Sequence, residues 1–187
     1  TSALERSNLL RKLYQAIMDN QQPLAELLTS EQGKSLAEAK GEVGISAAYV
    51  LWFAEEARRT YGDVVPSPWR DRRILVTKEP TGVVAAIAPW NFPSSMLSRK
   101  IAPALAAGCT AVIKPATQTP YSGLAWGVLC EEVGFPKGAV NVITGAAGEI
   151  GDEMCSNPLV RKLTFTGSTG VGKMLMAKCA ETVKKVS

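Results

Sequence analysis

Apolar residues recur every three or four positions over the first third of the chain. Leu9, Leu10, Leu13 and Ile17 form one such stripe, which predicts an amphipathic helix. Pro23 suits the first turn of a second helix, Leu24, Leu27 and Leu28 continue it, and Gly33 stops it. A third helical pattern runs from about Ser35 to Tyr61, with Gly41 and Gly44 weakening its middle. Glu55 and Arg59 stand four apart there, the spacing of an ion pair on an exposed helix face.

The texture changes after Gly62, Pro66, Ser67 and Pro68. Residues Arg73 to Lys78 form a β-type run, and Gly82 to Ala88 a short, continuous apolar run that suits a buried parallel strand. Helix and strand then alternate. A helix from Ser95 to Ala107 precedes a strand from Thr110 to Lys114. A helix from Tyr121 to Val133 ends at Gly134-Phe135-Pro136, before a strand from Val140 to Ile143. A helix from Glu149 to Cys155 leads to a strand from Lys162 to Phe165, and a last helix opens near Gly170. This alternation with short links predicts an α/β fold, a doubly wound parallel sheet preceded by N-terminal helices. Residues 1–72 form the helical segment and connection, and residues 73–187 the α/β segment.

Composition narrows the chemistry. The chain is 46% hydrophobic and 20% charged, an ordinary globular balance. Its net charge of +4 is small and scattered. The densest basic cluster, Arg70, Arg72 and Arg73, lies in a Pro-containing stretch that reads as a solvated connection, so no nucleic-acid partner is expected. No apolar run is long enough for a membrane span, and no signal segment opens the chain. Thr1 falls inside a helical pattern and Ser187 follows Lys184-Lys185-Val186 with no tail, so both ends read as cut positions. The sequence holds no histidine, which removes His-based general bases, Ser-His-Asp triads and His-ligated metals. Cys109, Cys130, Cys155 and Cys179 form no C-x-x-C pair. They read as reduced, mostly buried thiols rather than a zinc or redox site.

In a doubly wound sheet, ligands bind beyond the carboxyl ends of the strands. Three segments fall there. Pro89-Trp90-Asn91-Phe92-Pro93 follows the first buried strand, and an amide such as Asn91, held by bulky neighbours, can stabilise an oxyanion. The alternative is a turn asparagine bonded to its own backbone. Lys114-Pro115-Ala116-Thr117 follows the second strand. Lys114 is a point charge that can reach a ribose or phosphate, or else a lysine snorkelling from a strand end. Thr166-Gly167-Ser168-Thr169-Gly170-Val171-Gly172 is a glycine-rich strand-to-helix turn. It offers free N–H groups and a positive helix end to a phosphate, or is an ordinary tight turn with an N-cap hydroxyl.

Taken together, the order and spacing of these segments resemble the aldehyde dehydrogenase superfamily. Pro89 to Pro93, Lys114-Pro115-Ala116, Gly134-Phe135-Pro136 with Gly138, and Phe165 to Thr169 carry the likeness, which covers essentially the whole chain. A narrower likeness to succinate-semialdehyde dehydrogenases rests on Glu31-Gln32-Gly33-Lys34, the run Ala37 to Glu42 and the run Ser156 to Lys162.

The resemblance implies a Rossmann-like cofactor domain that binds NADP or NAD. In that family a cysteine thiolate attacks the aldehyde, forming a thiohemiacetal whose oxyanion is held partly by the match to Asn91. Hydride then passes to the nicotinamide, and water releases the acid. By the same resemblance Trp90, Lys114, Pro115, Ala116, Thr117, Gly148, Gly151, Thr166, Gly167, Ser168 and Val171 line the cofactor. Lys114 meets the adenosine ribose, and Gly167 and Ser168 underlie the pyrophosphate. Many NAD-preferring relatives carry glutamate where this chain has Thr117, so NADP is expected to be accepted well. Arg99, eight residues after Asn91, matches the arginine that binds the distal carboxylate of succinate semialdehyde.

The family's catalytic glutamate and nucleophilic cysteine match no residue here, so the 187-residue chain alone is expected to be inactive. The parent is expected to act on a small aldehyde as a homodimer or homotetramer, in the cytoplasm or, in a eukaryotic source, the mitochondrial matrix. Another semialdehyde or broad-range aldehyde dehydrogenase, and a non-catalytic dinucleotide-binding fragment, are the competing readings.

Overall fold

The computed structural model describes residues 1–187. Three helices come first: α1 (Ala3–Asp19), α2 (Gln21–Gln32) and α3 (Leu36–Glu56). Two of them begin on capping boxes. The Ser2 and Ser35 hydroxyls accept from the Glu5 and Glu38 amides, and each glutamate reaches back to its serine's N–H. Helix α2 stops at Gly33, whose φ of +89 a side chain would disfavour. Helix α3 runs unbroken through Gly41 and Gly44 for 21 residues. Its buried stripe is Ala39, Val43, Ala47, Val50 and Ala54. These small side chains let α1 and the later helix α4 (Ser95–Ala106) pack close on either side.

The expected Glu55–Arg59 pair does not form. Glu55 instead takes the Arg11 guanidinium of α1 at 2.6 Å, and Arg59 pairs with Glu56 at 2.6 Å. Residues Ala57–Arg59 tighten into a 3-10 turn, which breaks the i,i+4 geometry.

The β-type run from Arg73 to Lys78 does hold a strand, shorter than the run. Strand β2 (Ile74–Val76) pairs antiparallel with β1 (Asp63–Val65), in a two-stranded ribbon separate from the main sheet. Every residue of both strands is exposed.

The main sheet holds β3 (Val83–Ile87), β4 (Thr110–Lys114), β5 (Val140–Val142), β6 (Val160–Phe165) and β7 (Lys185–Val186), all parallel in the order β5-β4-β3-β6-β7. Between them run α4, α5 (Pro120–Glu132), α6 (Ala147–Ser156) and α7 (Thr169–Ala180). Side chains alternate between the faces of the central strands. Ala86 and Ile113 join a core shared with α1 to α5, whereas Ala85 and Leu163 join one shared with α6 and α7. The first core runs continuously from Leu10 and Leu13 to Trp126 and Leu129, so the N-terminal helices are packed onto the sheet's own helical layer. The winding direction reverses between β3 and β6, the place where such sheets open a crevice. No helix is long and apolar enough to cross a membrane.

Candidate cofactor and substrate site

The register sets three strand ends level. Ile87 stands opposite Lys114 on one side and Phe165 on the other. The three segments singled out in the sequence therefore emerge side by side. Two cross-strand bonds, Ala88 N–H to the Lys114 carbonyl at 3.4 Å and Thr166 N–H to the Ile87 carbonyl at 3.1 Å, tie the loops at their start.

Lys114 ends β4 with its side chain buried at 5% exposure. Burial pushes its ammonium below the ordinary lysine range. The ammonium donates to the Pro115 carbonyl at 3.1 Å and the Thr117 hydroxyl at 3.3 Å. Pro115 and Ala116 are buried and Thr117 is exposed. These four residues line an open cavity of about 210 Å³ together with Pro120, Tyr121, Leu124, Thr144 and Gly145. A positive charge at the foot of a cavity with exposed hydroxyls suits a ribose carrying phosphate.

Across the switch point, Ser168 caps α7 by accepting from the Val171 amide at 3.4 Å. A Cβ at Gly167 would lie 2.5 Å from the tip of the Phe165 ring, so a side chain there would have to push that ring aside. Gly167, Ser168 and Val171 are exposed, leaving the helix's positive end open to an anion. The two glycines of α6 diverge. Gly148 is exposed with open space around it, while Gly151 is buried facing Leu175 of α7.

Trp90 and Asn91 sit exposed on the loop after β3. The Asn91 carbonyl accepts from the Lys34 ammonium at 2.9 Å. Arg99 lies on the exposed face of α4. Its guanidinium sits 5.4 Å from the centre of the Tyr49 ring, and no carboxylate pairs with it.

Sequence reading missed three contributors. Lys100 donates to the Thr166 hydroxyl at 2.7 Å and the Thr164 hydroxyl at 3.3 Å, joining α4 to the end of β6. Glu31 accepts from the Tyr121 and Ser122 amides at 2.8 Å each, capping α5 beside Lys114. Glu42 is buried at 2% exposure and paired with Lys34. Apart from Lys34, eight residues before Glu42, their partners lie 52 or more residues away, so no local spacing marked the contacts that reach the site. Glu31, Lys34 and Glu42 do fall in the segments that carried the narrower resemblance.

Residues 1–187 match the description "Aldehyde dehydrogenase family" without a gap at either end. The chain belongs to the aldehyde dehydrogenase family. It is 59% identical to a glutarate-semialdehyde dehydrogenase of Pseudomonas aeruginosa, covering 100% of this chain and 38% of that protein. It is 55% identical to an NADP-dependent succinate-semialdehyde dehydrogenase of Escherichia coli, covering 100% and 39%. A crystal structure of an E. coli NADP-dependent enzyme superposes with a TM-score of 0.98 at 55% identity, over 100% of this chain and 39% of that one. The NAD-bound betaine aldehyde dehydrogenase of Staphylococcus aureus gives 0.97 at 38% identity, over 100% and 37%. The chain thus spans less than two-fifths of the length of these relatives.

Proposed function

We propose that the complete protein carrying this chain oxidises a short aldehyde with an anionic far end to the corresponding acid, using NADP or NAD. Succinate semialdehyde is the first candidate. Glutarate semialdehyde, one methylene longer, is the second, because a relative of that name is 59% identical. The observation that carries this reading is the level alignment of the three strand ends, from which the loops carrying Asn91 and Lys114 and the turn into α7 emerge side by side.

Each residue has a part. Lys114, Pro115, Ala116 and Thr117 hold the adenosine ribose, Thr166, Gly167 and Ser168 the pyrophosphate, and Val171 the adenine surroundings. Trp90 and Gly148, both exposed, are assigned to the same cofactor on the family resemblance. When bound, the nicotinamide supplies the hydride acceptor. The Asn91 amide donates to the oxyanion formed on the aldehyde oxygen, which is worth most where water is excluded. Arg99, free of any acidic partner, takes the substrate's distal carboxylate with its planar fork. Dimeric or tetrameric assembly is part of this reading. It is supported by the exposed ribbon β1–β2, which leaves Val64 and Leu75 in solvent.

The test is turnover by the complete protein with succinate semialdehyde and with an uncharged aldehyde of similar length. Arg99→Ala should cut the preference for the charged substrate by about tenfold or more, because a bidentate carboxylate contact is lost. Unchanged preference would remove Arg99 from the site, and no NADP- or NAD-linked oxidation of either aldehyde would defeat the reading.

A further inference from the structure

The loop that carries Asn91 is held by charges from outside the sheet. Helix α4 opens without a local cap: Ser94 is in helical conformation and its side chain does not cap the helix. The first amides of a helix need acceptors. Glu42 supplies them from α3, its Oε1 accepting from Ser94 N–H at 2.9 Å and from Ser95 N–H at 3.1 Å. The negative charge also suits the positive end of the helix.

The other Glu42 oxygen, Oε2, lies 2.5 Å from the Lys34 ammonium. Both side chains are withdrawn from solvent, at 1% and 10% exposure. The same ammonium donates to the Asn91 carbonyl at 2.9 Å and stands 4.1 Å from the centre of the Phe92 ring. Two charges therefore touch Asn91, Phe92, Ser94 and Ser95, nearly the whole path from strand to helix. The Ser94 hydroxyl, joined to the Ser46 hydroxyl at 3.0 Å and accepting from the Trp126 indole at 3.2 Å, fixes the remaining corner.

A buried ion pair is a poor device for stability, since apolar packing of equal volume often does as well or better. What it does provide is direction. We infer that Lys34 and Glu42 are positioning residues, which lock the Asn91 peptide so that its side-chain amide is held ready for the oxyanion. This rests on the aldehyde-oxidising reading above. The N-terminal helices then belong to the reaction geometry, although neither residue touches a reacting atom.

The test uses the complete protein with Lys34→Met and, separately, Glu42→Gln. Oxyanion donors are sensitive to placement, so kcat should fall about tenfold or more while cofactor Kd and aldehyde KM stay within about twofold. Amide hydrogen exchange over residues 91–95 should quicken in both variants. Lowered melting temperature with unchanged kcat would show a merely structural pair and overturn the inference. If Glu42→Gln does not fold, Lys34→Met reads the same split. If the unaltered protein oxidises no aldehyde, the functional reading fails first. Exchange over residues 91–95 then decides the clamp by itself: quickened exchange supports it, and unchanged exchange overturns it.

Discussion

The Lys114 ammonium donates to the Thr117 hydroxyl at 3.3 Å, and no acidic side chain lines the cavity they share. A 2′-phosphate entering that cavity would meet a positive charge and a hydroxyl. A glutamate at position 117 would meet the same phosphate with a negative charge. Thr117→Glu is therefore expected to weaken NADP binding by about tenfold or more while changing NAD binding little. Parallel titrations with the two cofactors check this. Equal loss for both would show that position 117 does not face the phosphate.

Lys100 gives the account a pH signature. Burial first, and then the positive charges of Arg99 and Lys162, push its ammonium down to about 8. In the unfolded chain it titrates near 10.5, so folding disfavours the charged form. That penalty is complete below about pH 8 and disappears above about pH 10.5, so it shrinks as pH rises through this window. Lys100→Met removes the titrating amine along with its two hydrogen bonds. The unfolding free energy of the native chain relative to this variant should thus rise with pH across the window. Urea titrations at about pH 7 and about pH 10 measure it, and a flat or falling difference would contradict the burial of Lys100.

The four thiols are expected to be inert. All are buried and none is paired in a disulfide. Burial pushes Cys130 up to about 12, and burial together with the neighbouring Cys179 thiol pushes Cys155 up to about 12. Thiolates are the reactive form. Mass-spectrometric mapping after alkylation should find Cys109, Cys130, Cys155 and Cys179 modified about a hundredfold more slowly in the native protein than in denaturant. Rapid native labelling of any one would make it a candidate nucleophile and weaken the assignment of that role to another part of the protein.

Much of the fold was readable because its signals are local. The runs Gly82–Ala88 and Thr110–Lys114 are apolar enough to demand a central strand, and the helical pattern from about Ser35 meets the observed start of α3 at Leu36. What stayed hidden is what distant partners decide. Ile74–Val76 has strand character, but its pairing with Asp63–Val65 lies across a turn rich in Arg and Pro that gives no register. Glu55 had a near neighbour four residues on, yet Arg11 of another helix took it. The short strand β7 exists only through its pairing with Lys162 and Leu163. The site divides in the same way. The loops carrying Asn91, Lys114 and Gly167 announce themselves by composition. Lys34 and Glu42 stand eight apart, but they and Lys100 are ordinary charges until the helices bring Asn91, Ser94 and Thr166, 52 or more residues away, within reach.

The measurement closest to the central claim is a cofactor titration of the complete protein followed by tryptophan fluorescence. Trp90, half exposed on the loop after β3, is the reporter, and Trp90→Phe identifies its share of the signal. The account predicts a saturable change with NADP that weakens about tenfold or more in Lys114→Met, which keeps the buried stem but removes the charge. No saturable change, or the same affinity without the Lys114 ammonium, would contradict a dinucleotide site at the ends of β3, β4 and β6.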